Sequence, residues 1–160
     1  MLFRSICVYS PVDTHLIIDI NGYFRAESSD KYTAIDQVPV LDTVKGLGAD
    51  QRPASSVAGV QVRGASSLLP NSATAAVVNV AALNAASNGF VTLYSCDTSR
   101  PTISSVNAVV GVTRQNMAVV PISSTGTICL YTSSQMDVRI AVLGYFRSEE
   151  HTSELQSHSF

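Results

Sequence analysis

Charged residues are scarce in this 160-residue chain: they make up 14% of it, where roughly a quarter is usual. Exposed helix faces normally draw on Glu, Lys and Arg, so the shortage disfavours a helical protein. The formal net charge of -2 offers no positive field to attract phosphate groups. The composition therefore argues against a nucleic-acid partner and against a polybasic membrane anchor.

Long apolar runs are also missing. The most apolar stretch, residues 73–83, is interrupted by Asn79, whereas a membrane span needs about 20 apolar residues. We therefore expect no insertion into a membrane. Near the start of the chain, Pro11 and Asp13 cut off any apolar run, so no signal peptide is predicted there.

Both ends of the chain carry sequence that does not read as part of a domain. Residues 147–157 read Arg-Ser-Glu-Glu-His-Thr-Ser-Glu-Leu-Gln-Ser, which resembles the translation of a common sequencing adapter, and residues 2–5 resemble the opposite adapter end. We expect residues 1–5 to be adapter-derived, and residues 147–160 to be adapter-derived or a disordered tail; an acidic surface helix is the alternative. Both ends are left out of the fold prediction.

A segment near the start of the chain recurs near its end. Residues 6–24 align without gaps on residues 128–146 at an offset of 122, and the shared residues are Ile, Cys, Tyr, Ile, Gly, Tyr and Phe. This period is too long for a solenoid and predicts a tandem array of whole domains. We expect residues 6–24 to be the last two strands of a preceding copy, residues 25–31 a polar linker and residues 32–146 a complete copy.

Apolar runs of strand length alternate with turn signals in the complete copy. They predict eight strands, at residues 38–43, 56–63, 73–82, 89–96, 104–112, 117–122, 127–132 and 136–146. In the last strand Val138, Ile140 and Val142 alternate with other residues and indicate one buried face, with Asp137 on the opposite face. The predicted fold is all-β, a two-sheet antiparallel sandwich of about eight strands, with a jelly roll as one such arrangement.

Cysteine usage predicts one disulfide. Cys96 and Cys129 are the only two cysteines in the complete copy, and Cys7 is the counterpart of Cys129 in the preceding copy. Two free thiols are the alternative to a Cys96–Cys129 bond. A metal site is disfavoured, because no Cys-x-x-Cys occurs and residues 32–146 contain no histidine. A disulfide would indicate an oxidising location, outside the cell or at its surface.

The complete copy carries a series of short motifs. They are Leu-Asp-Thr at 41–43, an Asn-containing apolar strand at 77–84, Gly-Phe at 89–90 leading to Cys at 96, Arg-Pro at 100–101, Ser-x-x-Asn at 104–107, Cys-Leu-Tyr at 129–131 and Gly-Tyr-Phe at 144–146. In this order they resemble a β-sandwich repeat that occurs in tandem in large secreted proteins of actinobacteria and related Gram-positive bacteria. The resemblance implies a secreted or surface-attached repeat and no established catalytic residue. The family often has Arg after Leu-Asp-Thr, whereas this chain has Val44.

Catalytic machinery is not recognisable in the complete copy. A nucleophile needs a base beside it, and residues 32–146 contain no His and one lysine, Lys45. Glycoside hydrolysis uses paired carboxylates, and this region has no Glu. We interpret Asp42 and Asp97 as turn residues that accept backbone N–H groups. The sequence therefore predicts neither an enzyme nor a cofactor.

Four residues are candidates for ligand binding: Arg100, Asp97, Tyr94 and Tyr131. Arg100 could hold a carboxylate or a sugar, but we expect it to pair with Asp97 in the loop after Cys96. The tyrosines could stack on sugar rings, although cross-strand packing is the commoner role of such residues.

We therefore predict a non-catalytic structural or display repeat module whose partners are neighbouring repeats or domains of the same chain. The alternative is a carbohydrate- or cell-wall-binding module. Chain ends at opposite ends of the domain would favour a spacer. An exposed aromatic cluster, or a cleft lined by Asp and Arg, would favour ligand binding.

Overall fold

The computed structural model describes residues 7–13, 15, 16, 18, 30–64 and 68–148. These residues contain eight β-strands and no helix: β1 (Asp30–Asp42), β2 (Ser56–Gln61), β3 (Ala73–Leu83), β4 (Gly89–Ser95), β5 (Val106–Ala108), β6 (Arg114–Pro121), β7 (Thr127–Thr132) and β8 (Asp137–Ser148). The predicted all-β class and strand number are confirmed. Within the described part of the chain, no helix could span a membrane.

The strands form two antiparallel sheets of four strands each. One sheet has the order β1-β8-β3-β6 and the other has the order β2-β7-β4-β5. Each strand is followed by one in the opposite sheet, except where β4 leads into β5. This winding is that of a jelly roll, the arrangement that the sequence left open.

The core lies between the two sheets and is filled by small and branched aliphatic side chains. Val138, Ile140 and Val142 are each 0% exposed, as the alternation in the sequence predicts. From the opposite sheet, Val91 and Leu130 are also 0% exposed. Alternate residues of each strand thus face the core, which is why strand periodicity identified most of the elements.

Only β7 has the predicted bounds, and the differences in β1, β5 and β8 have identifiable causes or consequences. β1 begins at Asp30, well before the predicted start at residue 38, because it is an edge strand whose first residues are largely exposed and show no apolar alternation. β5 has 3 residues where nine were predicted, since the chain turns at Gly111, whose φ is +72°. β8 continues through Arg147 to Ser148, beyond the predicted end of the domain.

Both ends of the sandwich domain emerge at the same place. β1 and β8 are antiparallel neighbours, and Asp30 at the start of β1 is paired with Ser148 at the end of β8. We call this end of the sandwich the entry pole. The opposite end, the far pole, carries the loops at residues 43–55, 84–88, 109–113 and 133–136.

Several predicted segments lie outside the described residues: residues 1–5, most of residues 6–24, residues 25–29 of the linker and residues 149–160. Residues 7–13, 15, 16 and 18 of the predicted preceding copy are described, and none of them belongs to a strand.

Candidate functional site

The outer face of the β2-β7-β4-β5 sheet carries most of the residues singled out in the sequence. Tyr131 and Cys129 on β7 are the cross-strand partners of Thr92 and Tyr94 on β4. Because the neighbouring residue Leu130 is buried in the core, these side chains point away from it. We call this surface the disulfide face.

The predicted disulfide between Cys96 and Cys129 is present, and it anchors this face. The two Cα atoms are 4.9 Å apart and the sequence separation is 33 residues. Constraining a loop of this length in the unfolded chain contributes about 3.8 kcal/mol of stability. Cys7 is a free, exposed cysteine. The bond holds the end of β4 against β7, where the chain turns back over the sheet.

The segment that follows Cys96 crosses the disulfide face before the chain enters β5. Thr92 Oγ1 donates a hydrogen bond to the Ile103 carbonyl at 2.8 Å, and the Ser105 backbone N–H donates to the Val91 carbonyl at 2.7 Å. This path brings Arg100 over the ring of Tyr131, with 3.9 Å between Cζ and the ring centroid. Such a cation–π contact contributes about 0.5–1 kcal/mol at an exposed site.

A second aromatic ring extends this cluster. The Phe90 ring lies 5.9 Å from the Tyr131 ring, centroid to centroid, and is tilted by 43°. Phe90 and Tyr131 are both half-buried, while Arg100 is exposed. We call Phe90, Arg100 and Tyr131 the aromatic cluster. It leaves ring edges and a guanidinium at the surface, which is chemistry suited to a sugar or a carboxylate.

The expected pairing of Arg100 with Asp97 is wrong. Asp97 accepts hydrogen bonds from the Ser124 backbone N–H at 2.6 Å and from the Ser124 hydroxyl at 3.1 Å. It therefore ties the loop after β4 to the loop between β6 and β7. The disulfide face thus brings Arg100 and Tyr131 together and places Tyr94 beside Cys129, while Asp97 has a separate structural role.

The structure accounts for the first two residues of the Leu-Asp-Thr motif. Leu41 is 1% exposed and belongs to the core. Asp42 accepts hydrogen bonds from the backbone N–H groups of the next turn and forms an ion pair with Arg139 at 3.2 Å. The interpretation of Asp42 as a turn residue is confirmed.

Asp137 forms a buried polar cluster at the far pole that the sequence did not reveal. The side chain was predicted on the face opposite the core, but Asp137 is only 6% exposed. Its carboxylate accepts hydrogen bonds from Thr43 Oγ1 at 2.7 Å, Asn84 Nδ2 at 2.8 Å and Gln51 Nε2 at 3.3 Å. We call this arrangement the Asp137 hub. It connects the start of β8 to the loops at residues 43–55 and 84–88, which are far apart in sequence.

The electrostatics of the hub keep Asp137 ionised. Burial opposes the charged form and would raise the pKa of Asp137. Hydrogen bonds from Asn84, Thr43 and Gln51, together with the charge of Arg139, outweigh that effect and lower the pKa. A carboxylate held in this way organises loops and has no open face for a substrate.

A groove lies between the edges of the two sheets, beside β5 and β6. Its volume is about 500 Å³, and its lining includes Asn107, Arg114 and Gln115. The carboxamide of Asn116 crosses it: Nδ2 donates to the Ser105 carbonyl at 3.0 Å, and Oδ1 accepts from the Met117 backbone N–H at 3.0 Å. The four predicted ligand-binding residues do not line this groove.

The described residues contain no group of three or more His, Cys, Asp or Glu side chains that could hold a metal ion. No family model matches this chain, and no curated protein matches it.

Proposed function

We propose that this chain is a non-catalytic display module, one copy of a tandem repeat in a secreted or cell-surface protein. The observation that carries the proposal is the pairing of Asp30 with Ser148. A domain that the chain enters and leaves at one pole presents its opposite pole to the surroundings. The far pole is well suited to presentation, because the Asp137 hub fixes two of its loops, at residues 43–55 and 84–88.

The repeat spacing limits how far the chain can advance from one copy to the next. Ala26 is the counterpart of Ser148 at the offset of 122, so residues 27–29 alone would separate one copy's β8 from the next copy's β1. Four Cα–Cα steps reach at most about 15 Å. Adding one interstrand spacing of about 5 Å, each copy advances the chain by at most about 20 Å.

That advance is much shorter than the domain. The 12 residues of β8 give a strand about 40 Å long. Consecutive copies therefore cannot stand end to end along their strands and must fan out from a shared axis, with their far poles outward. The same argument disfavours the spacer, which needs chain ends at opposite poles.

The remaining parts of the proposal have their own support. The disulfide suits an oxidising compartment and hence an extracellular or surface location. The absence of catalysis is supported by Asp42, Asp97 and Asp137, whose carboxylates are all engaged in hydrogen bonds that hold turns and loops.

Small-angle X-ray scattering of chains with one, two and four copies joined through the natural linker tests the proposal. The maximum dimension should grow by no more than about 20 Å for each copy beyond the second. The matched control carries a flexible Gly-Ser linker of twenty residues in place of residues 27–29, and it should be longer. Growth of about 40 Å per copy in the natural chain would contradict the proposal.

A carbohydrate- or wall-binding module is the second candidate, and the aromatic cluster favours it. Its test is retention of the oxidised chain on Gram-positive cell walls and insoluble polysaccharides. Saturable binding that Arg100→Ala removes, while Arg114→Ala leaves it unchanged, would support this candidate. Equal retention of both variants would count against it.

A further inference from the structure

Two segments of this chain have the sequence needed for the β7–β8 hairpin. Residues 128–146 form it, and residues 6–24 match them at the offset of 122. The buried apolar positions of the two strands have apolar counterparts in the earlier segment: Ile6, Val8, Leu16, Ile18 and Ile20. Cys7 likewise stands in the place of Cys129. Core packing along the strands and disulfide chemistry do not distinguish the two segments.

The connection to β1 would also allow the earlier segment to take this place. Because Asp30 is the partner of Ser148, and Ala26 is the counterpart of Ser148, a loop of residues 27–29 would join the earlier segment to β1. Three-residue loops are common in β-hairpins. Local pairing also closes a shorter loop than the pairing of residue 30 with residue 148. Selection must therefore come from side chains.

The decisive differences lie at the far pole. The earlier segment has His15 in the place of Asp137, and Thr14 in the place of Met136, which is 0% exposed. The Asp137 carboxylate serves three donors, from Thr43, Asn84 and Gln51. A neutral imidazole has one acceptor nitrogen, and an imidazolium has none. Histidine would therefore leave at least two of the three donors without their acceptor.

We propose that the Asp137 hub selects the hairpin that completes the sandwich: it admits residues 128–146 and rejects residues 6–24. The inference rests on the tandem organisation of the proposed function. In an array, it keeps a copy from taking the hairpin of its neighbour, which is a form of domain swapping. Neighbouring copies need only differ at the hub for each to keep its own hairpin.

Disulfide connectivity reports which hairpin is chosen, because Cys96 bonds to the hairpin beside β4. Exchange requires no net oxidation: the Cys7 thiolate attacks the Cys96 sulfur, the bond to Cys129 breaks, and Cys129 leaves as a thiolate. The full chain is refolded in a glutathione buffer and its free thiols are then alkylated. Trypsin separates the cysteines into peptides 5–25, 64–114 and 115–139, since Arg100 precedes proline and is not cleaved.

In the natural chain, we expect peptide 64–114 to be linked to 115–139 at least about ten times as often as to 5–25. Losing the buried hydrogen bond from Thr43 to the charged carboxylate changes such a balance by about tenfold, whereas the exposed Asn84 and Gln51 can turn to water. His15→Asp restores the carboxylate and leaves residues 128–146 untouched, so the link to 5–25 should rise at least about fivefold. Adding Thr14→Met should bring the two links to similar amounts.

His15→Ala is the matched control, because it removes the ring without supplying an acceptor, and it should change the ratio less than about twofold. Equal amounts of the two links in the natural chain would overturn the proposal. So would equal behaviour of His15→Asp and His15→Ala. This readout concerns a single copy, so its failure is distinct from failure of the proposed function, which is judged by the length of multi-copy chains.

Discussion

Two replacements of Asp137 should distinguish the stability that its hydrogen-bond acceptors contribute from the stability that its negative charge contributes. Asp137→Ala leaves the Thr43 hydroxyl buried without its acceptor, while Asn84 and Gln51 are exposed and can turn to water. A hydrogen bond to a charged group contributes about 1.5–3 kcal/mol, and an unsatisfied buried donor costs about 1–3 kcal/mol. Since these effects overlap, we expect a loss of about 3 kcal/mol in the free energy of unfolding.

Asp137→Asn should be much milder. The amide keeps one acceptor oxygen for Thr43, and the carboxamide of Asn84 can rotate to present its oxygen to the new NH₂ group. We expect a loss of about 1 kcal/mol, because only the extra strength of charged hydrogen bonds disappears.

Urea unfolding of the oxidised chain, with Cys7 alkylated to prevent exchange, measures both variants against the parent. An unchanged dependence on urea would show that the difference lies in stability and not in the extent of unfolding. Losses of equal size for Asp137→Ala and Asp137→Asn, or a loss below about 1 kcal/mol for the alanine variant, would refute this account of the hub.

Three further predictions concern stability. Because folding lowers the pKa of Asp137, the stability that it contributes is present above its unfolded pKa of about 3.9 and is lost as pH falls through the folded value. The urea midpoint should therefore depend less on pH in Asp137→Asn than in the parent between about pH 3 and 7. Replacing Cys96 and Cys129 by Ser should cost about 3.8 kcal/mol in the same assay; no loss would contradict the entropic argument. Gly144→Ala would bring Cβ to 2.6 Å from the Tyr32 ring, and calorimetry should show a loss of about 1–3 kcal/mol, whereas unchanged melting would refute the close contact.

Strand positions were accessible from sequence wherever one face of a strand is buried. β7 was predicted with the bounds it has, because Ile128 and Leu130 alternate with half-buried residues. The first part of β1 was not, since an edge strand is held by backbone pairing with β8, and residues such as Lys31 show no burial pattern. Sheet order was also inaccessible, because it depends on long-range pairing that local patterns do not encode.

In the candidate site, the disulfide was the feature that the sequence predicted correctly. Counting cysteines within one copy led to the Cys96–Cys129 bond. The contact of Arg100 with Tyr131, and that of Asp97 with Ser124, depend on the path of the loop after β4, which the sequence does not determine. Residue type singled out these side chains and indicated that Asp97 accepts a backbone N–H, but the pairing of Arg100 with Asp97 was wrong.

The Asp137 hub illustrates the same limit more sharply. Thr43 and Asn84 come from two different loops and Asp137 from the start of β8, and no spacing in the sequence relates them. The one available signal was a carboxylate at the start of an apolar strand, and that pattern is also typical of a solvent-exposed residue. These residues come together only when the chain folds and the loops of the far pole lie side by side.

The central claim, that the chain enters and leaves the domain at one pole, can be tested most directly with a new cross-strand disulfide. Lys31 and Arg147 are paired residues of β1 and β8. We predict that Lys31→Cys with Arg147→Cys, in a chain whose Cys7 is replaced by Ser, forms this bond during oxidative refolding alongside Cys96–Cys129. Peptide mapping that finds the two new thiols free in a folded domain would contradict the account.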